Sequence, residues 1–378
     1  MKLKFNSERK FKILLFGDIH EHEDYKTSLR FKDMQKLMNA ALDEYKPDLC
    51  VLLGDNCSTE LFSKDSEKFK ELVTDLLAPI TSRGIPVAAI LGNHEHDHGH
   101  EDEVVAVYQS IDGCLMRNET APEITGNANF KELIYSSNGE KPVFCLWFID
   151  SNNCFEDRSI SHYDYVHPDQ IEWFEEESAK LKELNGGKPM PSFVFQHTPV
   201  PEEYNLLRKA KWWELPVSVK GYNSHSQTRY VGKKGVEGCV GEGPCSPDVN
   251  SGQFASWKKV GGVIGAFFGH DHLNDFSGYT DGIFLAQHRT AGFRAYTDGC
   301  RSCVRLVTID EKNPEKFTHE LKRFKEFGLK CECLGPIMKR ITDRQSFWMH
   351  AFANVAMGIA GIAIIAMIIT KLIEYFGG

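Results

Sequence analysis

Six short, mostly apolar runs, each closing on Gly, Asp, Asn or His, constrain this chain more than any other feature. They are Phe11–Phe16, Leu49–Leu53, Val87–Leu91, Val143–Ile149, Ser192–Gln196 and Val263–Phe268. Runs of this length and composition read as strands buried on both faces. Between the first two, Met34, Leu37, Met38, Ala41, Leu42 and Tyr45 recur at helical spacing. Phe69, Leu72, Val73, Leu76, Leu77 and Ile80 do the same between the second and third. The order β-α-β-α-β needs crossover helices, which makes a layered α/β domain. Pro168–Leu184 predicts a further amphipathic helix, Gly221–Trp257 a long ordered loop, and Asn313–Arg344 a basic helical stretch.

Length and charge narrow the reading. With 378 residues and 42% apolar composition, the chain has ample core for one large α/β domain. Its net charge of −9 excludes a broad electrostatic grip on phosphate backbones, so no nucleic-acid partner is expected. The N-terminal segment has no apolar stretch of the kind that directs secretion. The eleven cysteines are therefore expected to be reduced and mostly buried. Cys300-x-x-Cys303 with Cys331-x-Cys333 leaves a four-thiolate zinc site open as a minor alternative.

The strand ends carry the chemistry. Gly17-Asp18-Ile19-His20 follows the first strand, Gly54-Asp55-Asn56 the second and Gly92-Asn93-His94-Glu95 the third. Gln196-His197 and Gly269-His270-Asp271-His272 close two later ones. An α/β sheet places its ligand site at the carboxyl ends of its strands, so these groups should share one cleft. Imidazoles, carboxylates and an amide oxygen suit Zn, Mn or Fe. Seven candidate ligands exceed one tetrahedral ion, and a carboxylate can bridge two ions about 3.5–4 Å apart.

The order D-x-H, G-D, G-N-H-E, H, G-H-x-H resembles the calcineurin-like metallophosphoesterase superfamily. Q-H-T-P-V-P-E at Gln196–Glu202, V-N-S-G-Q-F at Val249–Phe254 and G-H-D-H-L-N-D-F at Gly269–Phe276 resemble one branch more closely. That branch contains the short plant purple acid phosphatases and Dcr2-type phosphatases. The resemblance implies a four-layer sandwich: two mixed β-sheets face each other, with helices outside. It implies one metal held by Asp18, His20 and His272, a second held by Asn93, His197 and His270, and Asp55 bridging. A metal-bound hydroxide would attack phosphorus while His94 protonates the leaving oxygen. The expected activity is hydrolysis of phosphomonoesters, with phosphoproteins among the candidate substrates. A phosphodiesterase on a membrane-associated or nucleotide substrate is the alternative, and a non-catalytic scaffold the third reading.

Departures from the pattern qualify the likeness. Purple enzymes follow the G-D motif with a Tyr three residues after the Asp, where this chain has Ser58. Calcineurin-type protein phosphatases resemble G-D-x-V-D-R-G there, against G-D-N-C-S-T here, which leaves His94 without that family's usual carboxylate partner. His96, His98 and His100 read as a solvated, titratable loop. Asp150, Asn152, Asn153, Asn250 and Ser251 are candidates to touch substrate or support the ligands, and Arg229, Arg289 and Arg294 to clamp phosphate.

Ala351–Thr370 contains no charged residue. Twenty residues at about 1.5 Å each span roughly 30 Å, the thickness of a bilayer core. Trp348 and Tyr375 flank it as interfacial aromatics do. The organisation expected is a catalytic domain over residues 1–312, a basic helical linker over 313–347 and a transmembrane tail anchor over 348–376. Lys339, Arg340 and Arg344 before the span predict a cytosolic catalytic domain, with the endoplasmic reticulum as the default membrane.

Overall fold

Alternation along the central strands divides the core in two. Along β6 (Pro142–Phe148), Phe144, Leu146 and Phe148 face one apolar cluster, while Cys145 and Trp147 face another. In β7 (Ser192–Gln196), Phe193 and Phe195 face the first and Val194 the second. In β11 (Val263–Phe268), Phe267 opposes Ala266 and Phe268 in the same way. Successive side chains of a strand point to opposite faces, so a strand apolar on both needs cover on both. A computed structural model describes residues 2–120, 123–297, 300–336 and 343–376.

Two mixed sheets supply that cover from within. The larger runs β1 (Leu3–Lys4), β5 (Phe130–Tyr135), β6, β7, β11, β13 (Ile283–Gln287), β12 (Ser277–Thr280). The second runs β15 (Phe317–Arg323), β14 (Cys303–Asp310), β2 (Lys10–Phe16), β3 (Leu49–Leu52), β4 (Val87–Ala89). β6, β7, β11 and β13 are parallel, as are β2, β3 and β4 and the edge pair β1–β5, whereas β5–β6, β12–β13, β14–β15 and β14–β2 pair antiparallel. A small third sheet joins β8 (Leu207–Lys209), β10 (Arg229–Gly232) and β9 (Val219–Lys220). The two main sheets meet face to face: the Phe317 ring lies 4.9 Å from Phe193 and 5.3 Å from Phe284.

Helices form the outer layers. α1 (Leu29–Tyr45) and α3 (Ser66–Thr81) bury all twelve residues whose spacing marks their apolar faces. A short α2 (Glu60–Lys64) precedes α3, and α4 (Glu101–Gln109) follows the third strand end. On the far face of the larger sheet, α5 (Pro168–Leu184) sets Trp173 and Phe174 against Trp147, at ring separations of 5.8 and 4.8 Å. α6 (Gln253–Val260) packs beside it and ends the expected loop earlier than its sequence implied. This is the four-layer sandwich.

The stretch after residue 312 differs from expectation. Phe317–Arg323 is not helical but forms β15, paired with β14 from Ile309 opposite Phe317 to Cys303 opposite Arg323. F-T-H-E-L-K-R has a period of two: Phe317 turns inward, and the charged residues suit an edge strand, where they discourage pairing with other chains. The boundary expected at 312 therefore falls between two paired strands, and residues 337–342 of the expected linker lie outside the described residues. α7 (Asp343–Phe376) contains 24 residues, Ala351–Glu374, long and apolar enough to cross a membrane. Its Phe352, Ile359, Ile362 and Ile373 are exposed.

Candidate metal centre

Parallel pairing brings the carboxyl ends of β2, β3 and β4 side by side, and those of β7 and β11 likewise. The chain turns sharply as it leaves each strand. Asp18, His20, Asp55 and His270 all hold positive φ, at 52°, 54°, 50° and 76°. Such backbone costs roughly 1–3 kcal/mol per residue and gathers where function over-determines it. Four of the seven expected ligands share this feature.

The side chains converge in two buried groups. Asp18, His20 and His272 bring their ligand atoms within 4.8 Å of one another, as do Asp55, His197 and His270. Asp55 joins the groups, because its Oδ2 lies 3.1 Å from His197 Nε2 and 3.6 Å from His20 Nε2. His20 Nε2 and His272 Nε2 are 3.1 Å apart, and His270 Nδ1 and His197 Nε2 3.3 Å. Outer contacts fix the rings. His197 Nδ1 donates to the Leu53 carbonyl at 2.7 Å, and His272 Nδ1 lies 3.3 Å from the Tyr296 carbonyl. Each such contact turns the opposite nitrogen inward. Burial would lower the His197 pKa, but Asp55 beside its Nε2 raises it to about 10, so that ring would exchange a proton for an ion.

Several buried atoms here have no protein partner. Asp18 Oδ2, Asn93 Oδ1 and His270 Nε2 are all sealed from solvent and unbonded. Leaving three such buried atoms unpaired is costly without a cation. Burial lowers the His20 pKa to about 3 and that of His272 to about 4, leaving neutral imidazoles suited to coordination. Burial, reinforced by the charge of Asp55, pushes the Asp18 carboxyl well above its usual range. Neutral imidazoles, crowded carboxylates and unpartnered oxygens fit two divalent cations.

His94 is half exposed at the mouth of this centre. Its Nδ1 is 2.5 Å from Asp97 Oδ2, and its backbone N–H donates to Asp55 Oδ1 at 2.8 Å. Burial lowers its pKa, but Asp55 and Asp97 outweigh that and hold the imidazole above its ordinary value. Asp97 thus supplies the carboxylate partner that the sequence comparison with protein phosphatases leaves missing; its spacing of three residues was a readable signal. Glu95 has a role no motif reveals. Its buried carboxylate accepts the N–H groups of Gly92 at 2.7 Å, Asp55 at 2.8 Å, Asn56 at 2.6 Å and Cys57 at 3.1 Å. It clasps the ends of β3 and β4 into one unit.

Other candidates fall elsewhere. His96 is buried rather than solvated: Nε2 is 3.0 Å from Asp150 and Nδ1 3.3 Å from Glu101, which occupies both nitrogens. His98 and His100 are exposed. Asp150 also accepts the N–H groups of Asn127 and Asn152, so it supports loops instead of meeting substrate. Asn250 bonds Glu202. Of the three arginines, Arg289 is fully buried against Asp275, Arg294 pairs with Glu21 and Asp24, and Arg229 bonds Ser218. Each is committed to structure.

The calcineurin-like phosphoesterase family model matches residues 11–274. The chain is 27% identical over 341 residues to the probable inactive purple acid phosphatase 29 of Arabidopsis thaliana, covering 83% of this chain and 80% of that protein. Phosphatase DCR2 of Saccharomyces cerevisiae is 26% identical over 292 residues, covering 73% of this chain and 46% of the yeast protein. A dimetal phosphatase from Danio rerio superposes with a TM-score of 0.48 at 12% identity, over 79% of this chain and 95% of that one. With that family match running from β2 through the last of the strand-end motifs, the chain belongs to the calcineurin-like phosphoesterase family.

Proposed function

We propose that this protein is a dinuclear-metal phosphatase that hydrolyses phosphomonoesters. The observation that carries the reading is the pair of ligand groups joined at Asp55, with unpartnered buried atoms on Asp18, Asn93 and His270. Asp18, His20 and His272 would hold one ion, and Asn93, His197 and His270 the other. Bound there, the two ions would offset charge on the phosphoryl oxygens and acidify a water toward neutral pH, which supplies the nucleophile.

The chain's own residues do the rest. His94, protonated and oriented through Nδ1 by Asp97, presents Nε2 to the leaving oxygen and gives up its proton as the ester bond breaks. It then remains a neutral imidazole with Nδ1–H on Asp97. Tyr163 stands edge-on to His270 and Tyr296 stacks on His272, each at 4.2 Å, so aromatic faces flank the centre and limit water. We assign the phosphorylated substrate to this cleft and a membrane to α7, with the catalytic domain cytosolic because Lys339, Arg340 and Arg344 precede the span.

The test is turnover of mono- and diester substrates after loading with Mn, Zn or Fe, beside metal analysis. His94→Ala should keep both ions and lose roughly 10²–10⁴-fold in turnover. Absence of turnover with every metal would favour the scaffold reading, which the names of the plant relatives keep in view. For the membrane, carbonate should leave the full chain in the pellet, and protease should digest the catalytic domain of sealed vesicles. Release by carbonate, or protection inside vesicles, would contradict the assignment.

A further inference from the structure

A second group of metal-type side chains lies where the segment after β15 folds back on α1. Asp33, Cys331 and Cys333 bring one carboxylate oxygen and two sulfurs within 4.8 Å of one another. Cys331 Sγ and Cys333 Sγ are 3.7 Å apart. A tetrahedral zinc with bonds of about 2.3 Å to sulfur sets two thiolates about 3.8 Å apart. A disulfide would hold them near 2.0 Å. Asp33 is sealed from solvent, at 0% exposure.

The partition of the cysteines differs from their sequence spacing. Cys303 lies on β14, its sulfur 3.9 Å from the Arg289 carbonyl, and is not in the group. Asp33, some 300 residues from Cys333, takes the place that spacing alone would give Cys303. The carboxylate is already set for the role. Asp33 Oδ2 accepts the N–H groups of Glu332 at 2.6 Å and Cys333 at 2.8 Å, and Oδ1 accepts Lys36 Nζ at 2.9 Å. A carboxylate has about four acceptor sites, so three bonds fix the Cys-x-Cys turn and leave one for an ion.

The geometry points to a zinc site with Asp33, Cys331 and Cys333 as its protein ligands and water at the fourth position. Binding would release one proton from each of the two thiols, forming two Zn–S bonds and a Zn–O bond to Asp33 without change of oxidation state. Lys36 beside Asp33 offsets part of the surplus negative charge. The site would pin residues 331–333 to α1. It is independent of the strand-end centre.

The test uses the full chain in detergent under reducing conditions. An Asp55→Asn, Cys245→Ser background weakens the strand-end centre and removes the one thiol grouped with its ligands. That protein should retain one zinc per chain, and cobalt in its place should give the intense near-ultraviolet absorption of thiolate-to-cobalt charge transfer. Adding Cys331→Ser and Cys333→Ser should abolish both. Should that variant fail to fold, the cobalt spectrum of the background protein still decides. No charge-transfer band there, or zinc retained after both cysteines are replaced, would overturn the site.

Discussion

Replacing Gly92 by Ala should disable the strand-end centre through one methyl group. A Cβ built at Gly92 would lie 2.2 Å from Asp55 Oδ1 and 2.4 Å from Asp55 N. Real Cβ contacts begin above 3.0 Å, so Asp55 must retreat by nearly 1 Å. Gly92 does not have positive φ, so the effect is steric alone and owes nothing to glycine's backbone freedom. Retreat strains the bond from His94 N–H to Oδ1 and the contact of Oδ2 with His197. A shift of about 1 Å costs on the order of 10²-fold in rate, and overpacking of this kind about 1–3 kcal/mol in stability. Urea unfolding, metal analysis and turnover of one monoester should be measured on the same preparations. Gly335→Ala is the control, because its Cβ would meet nothing within 4 Å and its φ is not positive. Gly92→Ala with full metal content and undiminished turnover would refute the claim that Asp55 is held to sub-ångström tolerance.

Three further outcomes follow from pairs outside the ligand set. Asp97→Asn should lower turnover roughly 10–100-fold and leave metal content unchanged, the usual effect of losing a group that orients a catalytic imidazole; equal loss of metal would move Asp97 into the ligand set. Burial would lower the His96 pKa, but Asp150 raises it to about 10, so the pair stabilises fully below about 6.5 and weakens as pH rises toward 10. Unfolding free energy should fall by up to about 1.4 kcal/mol per pH unit in that window, a slope that His96→Gln should flatten. Asp275→Asn should lower the urea midpoint by removing the buried carboxylate that pairs with both Arg289 and Arg323.

Much of the fold and centre was legible because each signal was local. A buried strand shows as a short apolar run, and a strand-end ligand site shows as the polar residue stopping it. Pro168–Leu184 carries its own start signal, proline at the first helical position, and forms a helix over that span. β15 was misread because its Lys and Glu residues favour helices, and only pairing with β14 imposes the period of two. Glu95 could not be assigned a role, since its partners are backbone N–H groups brought together by tertiary structure. Asp33 was invisible for the same reason, while His94 and Asp97 share one turn. The arginines looked like phosphate clamps because type alone does not reveal a buried partner.

Metal stoichiometry against turnover tests the central claim most directly. Apoprotein should be titrated with Mn, Zn and Fe in turn, with bound metal and monoester hydrolysis followed together, in the wild type and in Asp55→Asn. Turnover should appear only as the strand-end centre fills with two ions, and Asp55→Asn should lose those ions and the activity together while zinc at the cysteine site persists. Turnover without metal, or Asp55→Asn that keeps both ions and full activity, would contradict it.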